Sequence, residues 1–94
     1  MIRIKLNETG IRMKGHAGYH NDGADIVCSA ISALTCNLIN SLQNLTPDKI
    51  TAETTAGYTE IQWEVLTKEG KLLVDSWFLG ITAVNQQYKC IEFA

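Results

Sequence analysis

The feature that most constrains the fold is a long apolar stripe in the first half of the chain. This spacing predicts one amphipathic helix of about five turns that begins at Asp25 and ends before Pro47. A helix of this kind has to bury its apolar face against another layer. The residues of the stripe recur every three or four positions: Val27, Ile31, Leu34, Leu38, Leu42 and Leu45.

Strands are predicted on both sides of this helix, because apolar and polar residues alternate there. The first two segments flank the turn sequence NETG and are typical of a hairpin. The next two flank Ala56-Gly57, and a short strand ends the chain. The five predicted strands are Ile2–Leu6, Ile11–Gly15, Lys49–Thr55, Tyr58–Val65 and Tyr88–Phe93.

A second helix is predicted between the last two strands, after a turn at Thr67–Lys71. Its apolar residues are Val74, Trp77, Phe78, Ile81 and Val84. The order is therefore β-β-α-β-β-α-β. We expect an α+β two-layer sandwich, with both helices on one face of a mixed or antiparallel sheet. The 94 residues are enough for a single domain spanning positions 1–94.

Composition narrows the function classes. The formal charge is −2 and the eight basic residues are scattered, which argues against a general nucleic-acid binder. Met1 leads straight into alternating residues, and no stretch is expected to span a bilayer. We therefore expect a cytoplasmic protein without membrane contact, in which Cys28, Cys36 and Cys90 are free thiols.

The segment GHAGYHNDGADIVCSA (residues 15–30) is unusually rich in residues that carry chemistry. It contains both histidines of the chain, His16 and His20, close to Cys28. Three explanations compete: a metal site that would add Asp22, a structural or redox thiol, and a nucleophile with its base. The spacing matches no zinc-finger pattern, so no metal or other cofactor is predicted.

A Cys–His pair is chemically sensible here. Asp25 or Asp22 can cap the helix. If Asp25 is the cap, Cys28 lies in the first turn, where free N–H groups and the helix dipole favour a thiolate. The same N–H groups could stabilise an oxyanion. His16 follows the end of the second strand and could accept the thiol proton. The ordinary alternatives are a buried structural cysteine and a surface histidine.

The stretch from Gly15 to Ser32 resembles the signature of the ribosomal-processing cysteine protease (Prp) family. The matching features are Gly-His-Ala at the start, a glycine-bearing loop, Asp-Ile-Val-Cys, and a serine four residues after the cysteine. The order of elements is similar over essentially the whole chain. Ser29 departs from the pattern, since alanine is more usual there, and His20-Asn21-Asp22 is an addition to the loop.

The resemblance implies a homodimeric cytoplasmic peptidase that removes a short N-terminal leader from a large-subunit ribosomal protein. It implies Cys28 as nucleophile and His16 as base, with Asp25 and Ser32 as supporting residues. The loop from Ala17 to Ala24, with Gly18 and Gly23 inside it and Gly15 at its start, would close over the substrate.

One alternative of a different class stays open, namely a non-catalytic peptide-binding or ribosome-assembly module on the same fold. The remaining sulfur and aromatic residues are expected in the core, with an interface as the alternative for the aromatic ones. They are Cys36, Cys90, Trp63, Trp77 and Phe78.

Overall fold

A computed structural model describes residues 1–15 and 22–94, and the side chains of residues 1–15 and 26–94. It confirms the predicted order and the two-layer architecture. The elements are β1 (Ile2–Asn7), β2 (Gly10–Lys14), α1 (Asp22–Leu45), β3 (Ile50–Thr55), β4 (Tyr58–Trp63), α2 (Lys68–Tyr88) and β5 (Ile91–Phe93).

The five strands form one mixed sheet in the order β3-β4-β2-β1-β5. The pairs β1–β2, β2–β4 and β3–β4 are antiparallel, and only β5 runs parallel to its neighbour β1. The order leaves β3 and β5 at the two edges. Ile4, Met13 and Ile61 point to the helix layer, whereas Lys5, Arg12 and Glu60 alternate with them and lie on the open face.

One hydrophobic core lies between the sheet and the two helices, which therefore share one face. Val27, Ile31 and Leu42 of α1 are almost completely buried in it. The buried hydroxyl of Thr35 joins the two helices: it donates to the Ile31 carbonyl (2.8 Å) and accepts from Trp77 Nε1 (3.1 Å). The core therefore contains a polar contact between α1 and α2 whose donor and acceptor are both satisfied.

Helix α1 begins at Asp22, three residues before the predicted start at Asp25. Asp22, Gly23 and Ala24 were expected in the loop because glycine and aspartate disfavour helix interiors. In the structure they form the first turn of the helix, so Gly23 is a helical residue and Asp25 is not the capping residue. Local propensity gave the wrong boundary here.

Helix α2 also begins earlier than predicted, at Lys68, within the segment Thr67–Lys71 that was expected to be a turn. Thr67 is the N-cap, and its side chain accepts a hydrogen bond from the Gly70 amide. Gly70 is required for space, since a Cβ there would lie 2.1 Å from Asp48 Oδ2. The glycine that suggested a turn therefore marks a close contact inside a helix.

By length and composition, Ile26–Leu45 could cross a membrane, with a mean hydropathy of 1.3. The expectation that no stretch of the chain meets this criterion was therefore wrong. Much of the apolar stripe of this helix is buried in the core, namely Val27, Ile31, Leu38 and Leu42, whereas Leu45 at its end is exposed.

Candidate active site

Cys28 lies in a cavity of about 150 Å³ at one end of the sheet, which we call the Cys28 cavity. The described residues around it carry no charged side chain. They come from four parts of the chain: Ile2 of β1, Met13 and Gly15 at the end of β2, Cys28, Ile31 and Ser32 of α1, and Thr54, Thr55, Gly57, Tyr58 and Thr59 of the β3–β4 hairpin. The volume suits one apolar group of about the size of benzene.

Gly15 fixes the point at which the chain leaves β2. Its φ of 106° lies in the region that favours glycine, and its amide donates to the Gly57 carbonyl at 2.9 Å. A Cβ at this position would lie 2.7 Å from the Met1 carbonyl oxygen. Gly15, predicted at the start of a movable loop, is bonded to the turn between β3 and β4 and lies close to Met1, which precedes β1. His16 is the next residue in the sequence.

Cys28 does not occupy the first turn of its helix, contrary to the prediction. It is the seventh residue of α1, so its position is about 9 Å along the axis from that of Asp22. In an α-helix an amide at this position bonds to the carbonyl four residues earlier. The amide of Cys28 is therefore part of the hydrogen-bonded helix and is not one of the free N–H groups of the helix start.

The three cysteines are free thiols, as predicted, but they differ in exposure. Cys28 is half-buried in its cavity, and Cys90 is buried as expected. Burial raises the pKa of the Cys90 thiol. Cys36 is exposed, so its assignment to the core was wrong. It lies eight residues after Cys28 on the same helix and offers a matched reference thiol.

Several predicted site residues lie outside the described part of the chain. His16, Gly18 and His20 fall in the range 16–21, and the side chain of Asp25 is not described either. Their predicted roles, including the metal alternative that used His16 and His20, stay predictions. Ser32 is described: it lines the Cys28 cavity one helical turn after the cysteine, and its supporting role stays a prediction.

The hairpin between β3 and β4 is the part of the cavity that sequence reasoning missed. Ala56-Gly57 was recognised as its turn, but its place beside α1 depends on strand order. Tyr58 alternates to the open face, where its hydroxyl donates to Glu60 at 2.7 Å and Arg12 Nε binds the same carboxylate at 2.8 Å. The Tyr58 hydrogen bond lowers the pKa of Glu60, and this bond raises the pKa of Tyr58.

A wider groove of about 770 Å³ lies at the opposite end of the sheet. Its walls include Pro47, Asp48, Ile50 and Trp63, and its described lining residues include neither cysteine nor histidine. Size therefore does not identify the reactive site here. Nucleophilic chemistry is possible at the smaller cavity, because that is where the thiol lies.

Comparison with known proteins supports a peptidase. The family model Peptidase_Prp, described as cysteine protease Prp, matches residues 1–91. No curated protein matches the chain significantly.

Solved structures with the same fold include SMU.848 from Streptococcus mutans, with a TM-score of 0.84 and 27% identity over 99% of this chain and 91% of that chain. The ribosomal processing protease Prp of S. aureus with a covalently linked product peptide has a TM-score of 0.83 and 23% identity, over 98% of this chain and 94% of that chain. The S. aureus protease has also been solved with a substrate peptide, with a TM-score of 0.83 and 22% identity over 99% of this chain and 95% of that chain. Since the family model spans nearly the whole sequence, this chain belongs to the cysteine protease Prp family.

Proposed function

We propose that this protein is a cysteine endopeptidase that removes a short N-terminal leader from a large-subunit ribosomal protein. The observation that carries the proposal is the Cys28 cavity, which brings the thiol to the end of β2 where the chain continues into His16. The resemblance of residues 15–32 to the Prp signature supports the assignment of both roles. No cofactor is needed for this chemistry.

The reaction begins when His16 takes the proton of the Cys28 thiol and the sulfur attacks the scissile carbonyl carbon. The tetrahedral intermediate then collapses, the C–N bond breaks, and His16 returns the proton to the departing amine. A thioester between Cys28 and the leader remains. His16 next takes a proton from water, and hydroxide attack on the thioester releases the leader acid and the free thiol.

Two residues support this pair in the proposal. Ser32 shares the cavity with Cys28 and can hydrogen-bond to a group that enters it. Asp25 belongs to α1, three residues before Cys28, and matches a supporting position of the Prp signature. A carboxylate directly beside the sulfur would oppose the thiolate, so Asp25 acts by orienting His16 or the neighbouring chain.

The test is incubation with the leader-bearing ribosomal protein, read by mass spectrometry. The intact protein should be converted into the leader and the mature protein. Cys28→Ala should reduce cleavage to background, and His16→Ala should reduce it by at least about a thousandfold. Cys36→Ala, which changes an exposed thiol on the same helix, is the control and should cleave normally.

The same experiment separates the peptidase from a non-catalytic peptide-binding or ribosome-assembly module. Such a module would bind the leader peptide without turnover, and Cys28→Ala would leave its function unchanged. Full cleavage by Cys28→Ala would refute Cys28 as the nucleophile.

We also propose that the protein is a cytoplasmic homodimer. Leu72 and Leu79 support this, because they are 68% and 72% exposed and lie seven residues apart on one face of α2. Exposed apolar pairs of this kind favour a partner surface. Leu79→Glu should shift the mass measured by light scattering from two chains to one. An unchanged dimer would place the interface elsewhere.

A further inference from the structure

The outer edge of β3 carries backbone groups that the fold leaves available. The amide of Trp63 donates to the Thr9 carbonyl, so Trp63 is turned towards β2. Its partner Ile50 in β3 therefore belongs to a pair without mutual hydrogen bonds. Hydrogen-bonded and non-hydrogen-bonded pairs alternate along antiparallel strands, so every second residue of β3 resembles Ile50. Ala52 and Thr54 therefore also direct their backbone N–H and C=O groups away from β4.

The turn confirms this alternation independently. Thr55 and Tyr58 close the two-residue connection Ala56-Gly57 and face each other across the ladder. The backbone N–H and C=O of Thr55 therefore bond to Tyr58 within the hairpin, and the backbone N–H and C=O of Thr54 point away from β4. Within residues 1–15 and 22–94, no backbone hydrogen bond occupies the outward groups of Ala52 and Thr54.

This edge leads directly into the Cys28 cavity. The side chain of Thr54 points to the helix layer, since its cross-strand partner is Thr59, and both threonines line the cavity with Cys28 and Ser32. Ala52 and Thr54 are both exposed, so α1 does not cover this part of β3. The thiol and the free edge are thus parts of one continuous surface.

We propose that the peptide substrate binds as an added strand along the outer edge of β3, through the backbone of Ala52 and Thr54. This rests on the proposed peptidase function and names how that site holds its substrate. Extended peptides often bind exposed sheet edges in this way, with main-chain hydrogen bonds providing affinity. Side chains of the peptide on the helix face enter a cavity whose described walls carry no charge, so they are uncharged.

Proline variants test the edge. Ala52→Pro and Thr54→Pro each remove one outward N–H while leaving the bonds to β4, and edge strands tolerate proline. Ala52→Val and Thr54→Val are matched controls that keep the N–H. For a synthetic peptide spanning the leader and the cleavage point, each proline variant should raise KM about three- to tenfold over its valine control, with kcat unchanged.

A second measurement leaves the protein unaltered. Peptides methylated at one backbone nitrogen at a time should lose affinity at every second position, because an added strand faces its neighbour with alternate residues. Alkylation of Cys28 by iodoacetamide should proceed at the same rate in the proline and valine variants. Equal rates show that the thiol environment is intact.

The outcomes separate this inference from the proposed function. If the wild type cleaves, and KM and the methylation scan show no such pattern, the edge is excluded and the peptidase stands. If the wild type does not cleave the peptide, the proposed peptidase function fails, and fluorescence anisotropy of a labelled peptide then tests binding to the edge of β3 alone. An unchanged Kd in the proline variants overturns the proposed binding mode, and a raised Kd supports it. A proline variant that turns a dimer into a monomer would assign the edge to a second copy and overturn the proposal.

Discussion

At the distal end of the sheet, which we define by Asp48, Trp63 and Thr67, polar groups bind one another, whereas the end that holds Cys28 is an uncharged cavity. Asp48 accepts from the Thr67 amide and hydroxyl, both at 2.8 Å, and so ties the connection after α1 to the start of α2. Trp63 Nε1 donates to the Glu8 carbonyl at 2.8 Å and fixes the first hairpin turn.

The Cys28 cavity is bounded instead by backbone turns and small side chains. Its threonines, glycines and thiol carry no charge, whereas the wider groove at the distal end is lined by charged residues such as Asp48. Under the proposed function this difference is a division of tasks, in which Asp48 and Trp63 hold connections of the fold together and the Cys28 cavity would accept a substrate. Four variants or measurements can break or sharpen this distinction.

The largest effect is expected for Gly15→Ala. The new Cβ would be strained by the positive φ and would contact the Met1 carbonyl oxygen at 2.7 Å, so the chain leading to His16 must move. A displacement of about 1 Å between catalytic groups can lower the reaction rate on the order of a hundredfold. We expect a loss of that size in kcat/KM for the leader peptide.

Gly10→Ala is the matched control, since it creates a similar conflict at the other end of β2, with Ile61 O at 2.6 Å. This variant should lose stability and keep the kcat/KM of its folded fraction. Equal activity losses in the two variants would mean that Gly15 matters only for folding.

Next in size is Gly70→Ala at the distal end. Its Cβ would collide with Asp48 Oδ2 at 2.1 Å, and overpacking of this kind costs about 1–3 kcal/mol of unfolding free energy. Urea denaturation measures the loss. Gly80→Ala on the same helix meets only the flexible end of Leu34, at 3.1 Å, and should be close to neutral. A neutral Gly70→Ala would show that the distal end adapts easily.

A smaller effect is expected in thiol alkylation. Cys36 is exposed and Cys28 half-buried, so accessibility alone predicts that iodoacetamide modifies Cys36 first. If His16 accepts the thiol proton, Cys28 should react several-fold faster than Cys36, because the thiolate is the nucleophile. Cys90 should react last, being buried with a raised pKa. Peptide mapping gives the three rates, and a faster Cys36 would contradict the dyad.

The smallest effect concerns pH at the distal end. Partial burial acts to raise the pKa of Asp48, but hydrogen bonds from Thr67 and Thr46 outweigh it and hold this pKa below its ordinary value of 3.8. The ionised Asp48 carboxylate therefore stabilises the folded state fully above pH 3.8, and this contribution is lost as the pH falls through the lower pKa of the folded state. Asp48→Asn should flatten this acid dependence in thermal unfolding. If the wild type and Asp48→Asn lose thermal stability identically as the pH falls, Asp48 is not the cause of the acid dependence.

Much of this fold follows from sequence periodicity. Alternation located β1, β2 and β4 to within two residues at either end, and the stripe from Val27 to Leu45 located the body of α1. The parallel pairing of β5 with β1 could not be derived, because strand order depends on how all the layers pack. Local patterns carry no information about that choice.

The errors lie where packing overrides local preference. Gly23 and Gly70 indicated loop and turn, yet both are helical, and Gly70 is needed because Asp48 fills the space of a side chain. For the site, the sequence identified Cys28 and Ser32 as neighbours across one helical turn. The hairpin residues Thr54 and Gly57 were missed, since only the folded sheet brings them there.

The positions of the two tryptophans have a practical consequence for spectroscopy. Trp77 is buried between the helices and bonded to Thr35, and Trp63 is buried at the distal end. Neither lines the Cys28 cavity. Intrinsic fluorescence should therefore follow unfolding of the helix layer and of the distal end, while a peptide that enters the cavity leaves the emission nearly unchanged.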